Sequence, residues 1–300
     1  MGMARYATHA SHSGESVDFH SRAAKRQAML LAGLFWVGFY VCLLLMRVLI
    51  GSLGLNSNGA TDNRGQWCGG VLMTALTLTL TLAFSRLGRD SGVNPGTKFV
   101  RGSIPRAFAG MMFVFPLSVL SIISLHWLVP GVHFLRVEIS GTRLLSMVGL
   151  YLVLAAYEEI GFRGYPMRQL LRSFGVWPTL LLIAPVFALY HVVLGWGLLQ
   201  AFIGTGAGSL LFGMAAVASR HGLAFPIGVH AGWNFVTWSL GATGGGIWKM
   251  IFPGDMTTRV QTIGMCTYLA CMLIGTMLLW FWSSRRKWHL PQQISGSNFS

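Results

Sequence analysis

Eight apolar segments dominate this chain, at residues 29–51, 66–84, 107–129, 144–162, 178–199, 200–219, 222–240 and 260–282. Each is near the roughly 20 residues that a helix needs to cross a hydrocarbon core of about 30 Å. Charged residues are only 10% of the 300, against about a quarter in a soluble domain. Too few charges remain to solvate a globular surface. The expected fold class is therefore all-α: a polytopic transmembrane helical bundle of about eight spans embedded in a lipid bilayer.

One segment tests that expectation. Thr77, Thr79 and Thr81 alternate with leucine, a period that ordinarily marks a strand. A membrane barrel would repeat that alternation in every strand of about 10 residues. The neighbouring segments do not, so this one is expected to be a helix whose threonines bond carbonyls one turn earlier.

The formal charge of +14 raises the question of nucleic acid. A nucleic-acid reader clusters its basic residues on one exposed face. Here they lie mainly between apolar segments, where they set orientation instead, so no nucleic-acid partner is expected. Sixteen Lys and Arg fall on the side of the N-terminal tail and five on the other, with Arg47 inside the first span. That bias predicts both termini in the cytoplasm of an integral membrane protein. Residues 1–28 and 285–300 read as cytoplasmic tails flanking a transmembrane domain over 29–284. The first tail lacks the apolar core of a signal peptide. Cys42, Cys68, Cys266 and Cys271 have no metal or redox spacing and read as small apolar residues.

Six of the eight acidic residues fall in tails or loops; the other two, Glu158 and Glu159, end the fourth segment. A charge at mid-membrane costs about 2.5–3.5 kcal/mol on insertion scales, so embedded acids are usually functional. Arg163 sits about 40° around the helix from Glu159 and about 140° from Glu158. Glu159 and Arg163 are thus expected to pair, leaving Glu158 for a partner on another helix. An unpaired, poorly solvated carboxylate is the best general-base candidate in the chain.

Two histidines, His191 and His230, fall well inside apolar segments. Asn234 follows His230 by one turn, on the same helix face. An amide N–H aimed at a developing oxyanion is a hydrolytic device worth about 2.7–4 kcal/mol. Counted from the expected cytoplasmic helix ends, Glu158, His230 and His191 lie at depths of about 7, 12 and 20 Å. The last value fits poorly with a single site. A small-residue pair, Gly204 and Gly208, is expected to allow close helix packing.

Glu158-Glu159-x-x-x-Arg163, Phe187-x-x-x-His191 and His230-x-x-x-Asn234 together resemble the three motifs of the CPBP family. That family includes CaaX prenyl endopeptidases of the Rce1 type and bacterial Abi or bacteriocin-processing homologues. The resemblance covers residues 144–240 as a protease-like core. It implies an intramembrane endopeptidase with a cytoplasm-facing site, in a bacterial inner membrane, acting on a membrane-associated peptide or protein. By similarity, Glu158 and His191 would activate water, and His230 with Asn234 would stabilise the oxyanion. Glu159 and Arg163 would support them.

Metal use stays open at this point. Glu158, His191 and His230 could supply three ligands to zinc, and metal-free activation would use the same residues. Two other readings stay open as well. One is a non-enzymatic membrane partner or bacteriocin-immunity protein on the same fold. The other is a proton-coupled transporter, since buried Glu and His also form relays.

Overall fold

The computed structural model describes residues 21–57, 60–61, 63–87, 95–219 and 222–285. Nine α-helices carry nearly all of them: α1 Arg22–Ser52, α2 Asn63–Leu87, α3 Ser103–Leu128, α4 Gly141–Arg163 and α5 Tyr165–Phe174. They continue with α6 Val176–Val193, α7 Gly206–Ala218, α8 Ala224–Ser239 and α9 Thr257–Arg285. The fold is an all-α helical bundle. Among the described residues, seven helical segments are long and apolar enough to cross a membrane, with α4 and α5 counting as one. At 16 residues, α8 is shorter than these and about 24 Å long. Most of residues 1–28 and 286–300, expected as tails, lies outside the described residues; α1 already begins at Arg22.

Helix α1 shows why such a chain needs lipid. Ala28, Ala32, Phe35, Phe39 and Leu43 are buried, whereas Leu30, Leu34, Val37, Val41, Leu45 and Val48 are at least half exposed. Both faces are apolar, so the outer one requires a hydrocarbon environment. Arg47 is accommodated at the far end, where its guanidinium donates to Val193 O at the C-terminus of α6. A cation there is favourably placed against the helix dipole.

The threonine-rich segment is helical. Thr74 Oγ1 donates to Gly70 O at 2.8 Å and Thr79 Oγ1 to Ala75 O at 2.9 Å. Strands are confined to short connections. β1 Asn56–Ser57 pairs with β2 Ala60–Thr61, and β3 His133–Arg136 pairs antiparallel with β4 Trp248–Ile251. The second pair ties the segment after α3 to the segment after α8.

Besides the earlier start of α1, two boundaries near the polar residues differ from those expected. The fifth span ends at Val193 rather than at 199, because the chain turns through Gly195 at φ +99°. It resumes in a π-helical turn, Gln200–Thr205, that leads into α7. The fourth span, expected to stop at 162, continues through Gly164 into α5. Gly164 N still donates to Ile160 O, and Arg168 N to Gly164 O, both at 3.2 Å. Pro166 has no N–H to give, so the path bends without unravelling.

Helix α5 then runs antiparallel to the first half of α1. Lys25 lies over the Phe174 ring, Phe35 stacks on Tyr165, and Phe39 meets Phe162 edge-on. Consequently Glu158 and Glu159 lie in the interior of a helical path. Glu158 is about 24 Å along that path from Phe174, and His191 about 22 Å along α6 from Val176. Measured along the helices, the two residues lie at similar distances from the Phe174–Val176 turn.

Helix α8 is positioned by glycine. A Cβ on Gly228 would lie 1.9 Å from Ala107 O of α3, so only hydrogen permits this approach. Gly204 and Gly208 face α9: Tyr268 Oη donates to Gly204 O at 2.9 Å, and a Cβ on Gly208 would lie 2.8 Å from that hydroxyl.

Candidate active site

Helices α4, α6, α7 and α8 bring one polar cluster into the interior. Glu159 and Arg163 are wholly buried, and Glu158 and His230 retain 8% and 4% of their exposure. Neither carboxylate reaches outward to water by snorkelling.

Glu159 is the hub. Its Oε1 accepts from Arg163 Nη1 at 3.2 Å, across one turn of α4, and from His230 Nδ1 of α8 at 2.8 Å. Arg163 is held from a second helix as well: Nη2 donates to Ser209 O at 3.2 Å and to Ser209 Oγ at 3.0 Å. Its guanidinium lies 4.4 Å from the centre of the Phe187 ring. A buried charge needs such partners, because desolvation costs several kcal/mol per ion, on the order of what the pairing returns.

The second nitrogen of the same imidazole, His230 Nε2, faces Glu158 Oε2 at 3.7 Å. Phe212 of α7 stacks on the His230 ring, with centroids 4.1 Å apart and planes 13° from parallel. One histidine thus lies between two glutamates, clamped by an aromatic face. Glu158 Oε1 accepts from Tyr190 Oη at 3.2 Å, and the Tyr190 and Tyr157 hydroxyls are hydrogen-bonded to each other. Glu158 Oε2 and Glu159 Oε2 are buried and have no hydrogen-bond partner among the described residues.

His191 adjoins this cluster on α6. Its Nδ1 donates to Phe187 O at 2.9 Å, which leaves Nε2 as the nitrogen able to accept a proton. The Phe187 ring contacts both imidazoles, at 4.7 Å from His191 and 6.3 Å from His230. Trp196, in the turn after α6, covers His191 edge-on at 5.2 Å. Asn234 lies one turn beyond His230 on α8, half-buried, with its backbone carbonyl accepting from Thr237 Oγ1.

The donor set does not make a zinc site. Among the described residues, no three His, Cys, Asp or Glu side chains converge to hold a metal ion. His230 Nδ1 faces Glu159, which leaves Nε2 as the nitrogen directed toward Glu158. Glu158, His191 and His230 do not form a three-ligand group in this arrangement.

Sequence reasoning missed the tyrosine pair, Phe212 and Ser209. Tyr157 and Tyr190 each precede a motif residue, but nothing local reveals that two hydroxyls 33 residues apart bond each other, or that Tyr190 also bonds Glu158. Ser209 lies in a glycine-rich run whose small residues read only as packing.

A buried acid–imidazole–guanidinium cluster thus lies among the apolar helices of an integral membrane protein. Residues 140–236 match the family model of the type II CAAX prenyl endopeptidases, Rce1-like, and all seven motif residues fall within the match. The match covers about a third of the chain and likens that stretch to CAAX-type intramembrane proteases at the level of the family. No curated protein matches the chain.

Proposed function

We propose that this chain is an endopeptidase that hydrolyses a peptide bond within the membrane, using water activated by Glu158. The observation that carries this reading is the sharing of His230 between Glu158 and Glu159 inside the bundle. Such an arrangement supplies an acceptor for the proton of water and a donor for an oxyanion within one buried cluster.

In this reading Glu158 Oε2 takes a proton from water as the water oxygen attacks the scissile carbonyl. His191 assists through Nε2, the nitrogen not bonded to Phe187 O. Glu159 and Arg163 orient His230. Two carboxylates against one guanidinium leave a single negative charge, which an imidazolium at His230 offsets. That imidazolium and the Asn234 amide are the donors to the tetrahedral oxyanion. As the C–N bond breaks, Glu158 returns its proton to the departing amine. No step passes through a metal.

The substrate is a membrane-associated peptide or protein. We place both termini and the open side of the site in the cytoplasm, in bacteria at the inner membrane. Lys25 beside Phe174, and Arg172 and Arg285 at the ends of α5 and α9, support this by the positive-inside bias.

The test compares peptide termini of the membrane proteome in cells carrying wild-type protein and Glu158→Gln. Termini that appear only with wild type are expected. Identical sets from both strains, with the variant inserted at normal levels, would remove the water-activating role of Glu158.

A further inference from the structure

Tyr190 has no part in the steps above, yet its hydroxyl lies closer to Glu158 than His230 does, at 3.2 Å against 3.7 Å. Both Tyr190 and Tyr157 are buried, the first completely. The Tyr190 ring is enclosed by Phe39, Phe162 and Phe187, with centroids 5.9, 5.6 and 6.1 Å away. Such packing leaves the ring one orientation.

The direction of the hydrogen bonds follows from counting protons. A phenol has one O–H. Tyr190 gives its proton to Glu158 Oε1, because an ionised carboxylate only accepts. Its oxygen must then accept from Tyr157, whose single proton is spent on that bond. The chain therefore runs Tyr157 to Tyr190 to Glu158 and stops at one carboxylate oxygen.

We infer that Tyr190 is a positioning residue for the peptidase, holding Glu158 by Oε1 so that Oε2 faces His230 and receives the proton of water. Tyr157 fixes the Tyr190 hydroxyl in turn. A glutamate tethered only through its backbone can rotate about three side-chain bonds, two with staggered states and the last with a broad, roughly two-fold profile. Pinning one oxygen from α6 leaves the other as the reacting atom. The O–H bonds of both tyrosines stay intact throughout; the proton from water travels through Oε2 alone. This inference rests on the water-activating role given to Glu158 above.

Infrared spectroscopy tests the inference without a substrate. Protein carrying carboxyl-¹³C glutamate is placed in lipid nanodiscs, and the wild-type minus Glu158→Gln difference isolates the Glu158 carboxyl band. Tyr190→Phe, which keeps the ring, is expected to shift that band, and Tyr157→Phe to shift it less. Both variants should stay folded, with a lower melting temperature that reflects the buried hydrogen bond lost. With a prenylated CaaX peptide as the probe, Tyr190→Phe should lower kcat about tenfold or more, as expected for losing a hydrogen bond to a charged group, with KM within about twofold. A Glu158 band unmoved by Tyr190→Phe would overturn the inference, as would a shifted band with unchanged kcat. Full cleavage by Glu158→Gln would instead overturn the role of Glu158 itself, by a separate measurement.

Discussion

Glu159 Oε1 accepts a hydrogen bond from His230 Nδ1 at 2.8 Å, joining α4 to α8 across 71 residues of sequence. The same oxygen accepts from Arg163, so an ion pair within one helix also orients an imidazole on another. The consequence is a division of labour between adjacent glutamates. Glu159 Oε1 ties Arg163 and His230 together, Glu158 Oε1 is held by Tyr190, and each glutamate keeps one oxygen without a hydrogen bond among the described residues.

Glu158→Gln and Glu159→Gln should therefore fail differently. The first is expected to remove cleavage by about 10²–10⁴-fold, the usual contribution of a positioned general base, while the protein remains folded. The second should lower stability as well, because it leaves Arg163 buried without its anion. Cleavage assays paired with thermal unfolding in detergent separate the two; equal melting temperatures would argue against the structural role of Glu159.

Breaking the buried pair from the other side should cost more than removing both partners. Arg163→Ala is expected to destabilise by about 3–5 kcal/mol, and the double variant Glu159→Leu with Arg163→Met by less. Arg163→Lys should not restore stability, since one ammonium cannot serve Glu159 and Ser209 in the same forked geometry. Denaturation midpoints of the four proteins check this.

Asn234→Ala should lower kcat by about 10²–10³-fold with little change in KM, as expected for a donor that acts on charge formed only in the transition state. A rise in KM alone would make Asn234 a substrate-binding residue instead.

Gly228→Ala should impair folding although it lies two residues from the site. Its added methyl would overlap Ala107 O, which sits 1.9 Å from the position the Cβ must occupy. Overpacking of this kind costs about 1–3 kcal/mol, and more where backbone must move. The measurement is yield and melting temperature; a variant as stable as wild type would show that α3 and α8 separate easily.

Much of this architecture is legible from composition alone, because a hydrocarbon environment leaves few choices. A chain with about 20-residue apolar runs and scarce charge forms a helical bundle, and acids inside it stand out. The pairing of Glu159 with Arg163 follows from the helical repeat. Its geometry is local, so spacing is enough to locate it.

Tertiary structure decided the rest. The continuation of α4 through Gly164 into α5 depends on packing against α1, which no window of sequence contains, and it moves Glu158 from a helix end to an interior position. The approach of Tyr190 to Glu158, the stacking of Phe212 on His230 and the hold of Ser209 on Arg163 all join residues distant in the chain. Helical periodicity states which face a residue occupies, but not which helix lies against that face. Lateral helix packing settles that, through side-chain size and the few glycines that permit contact.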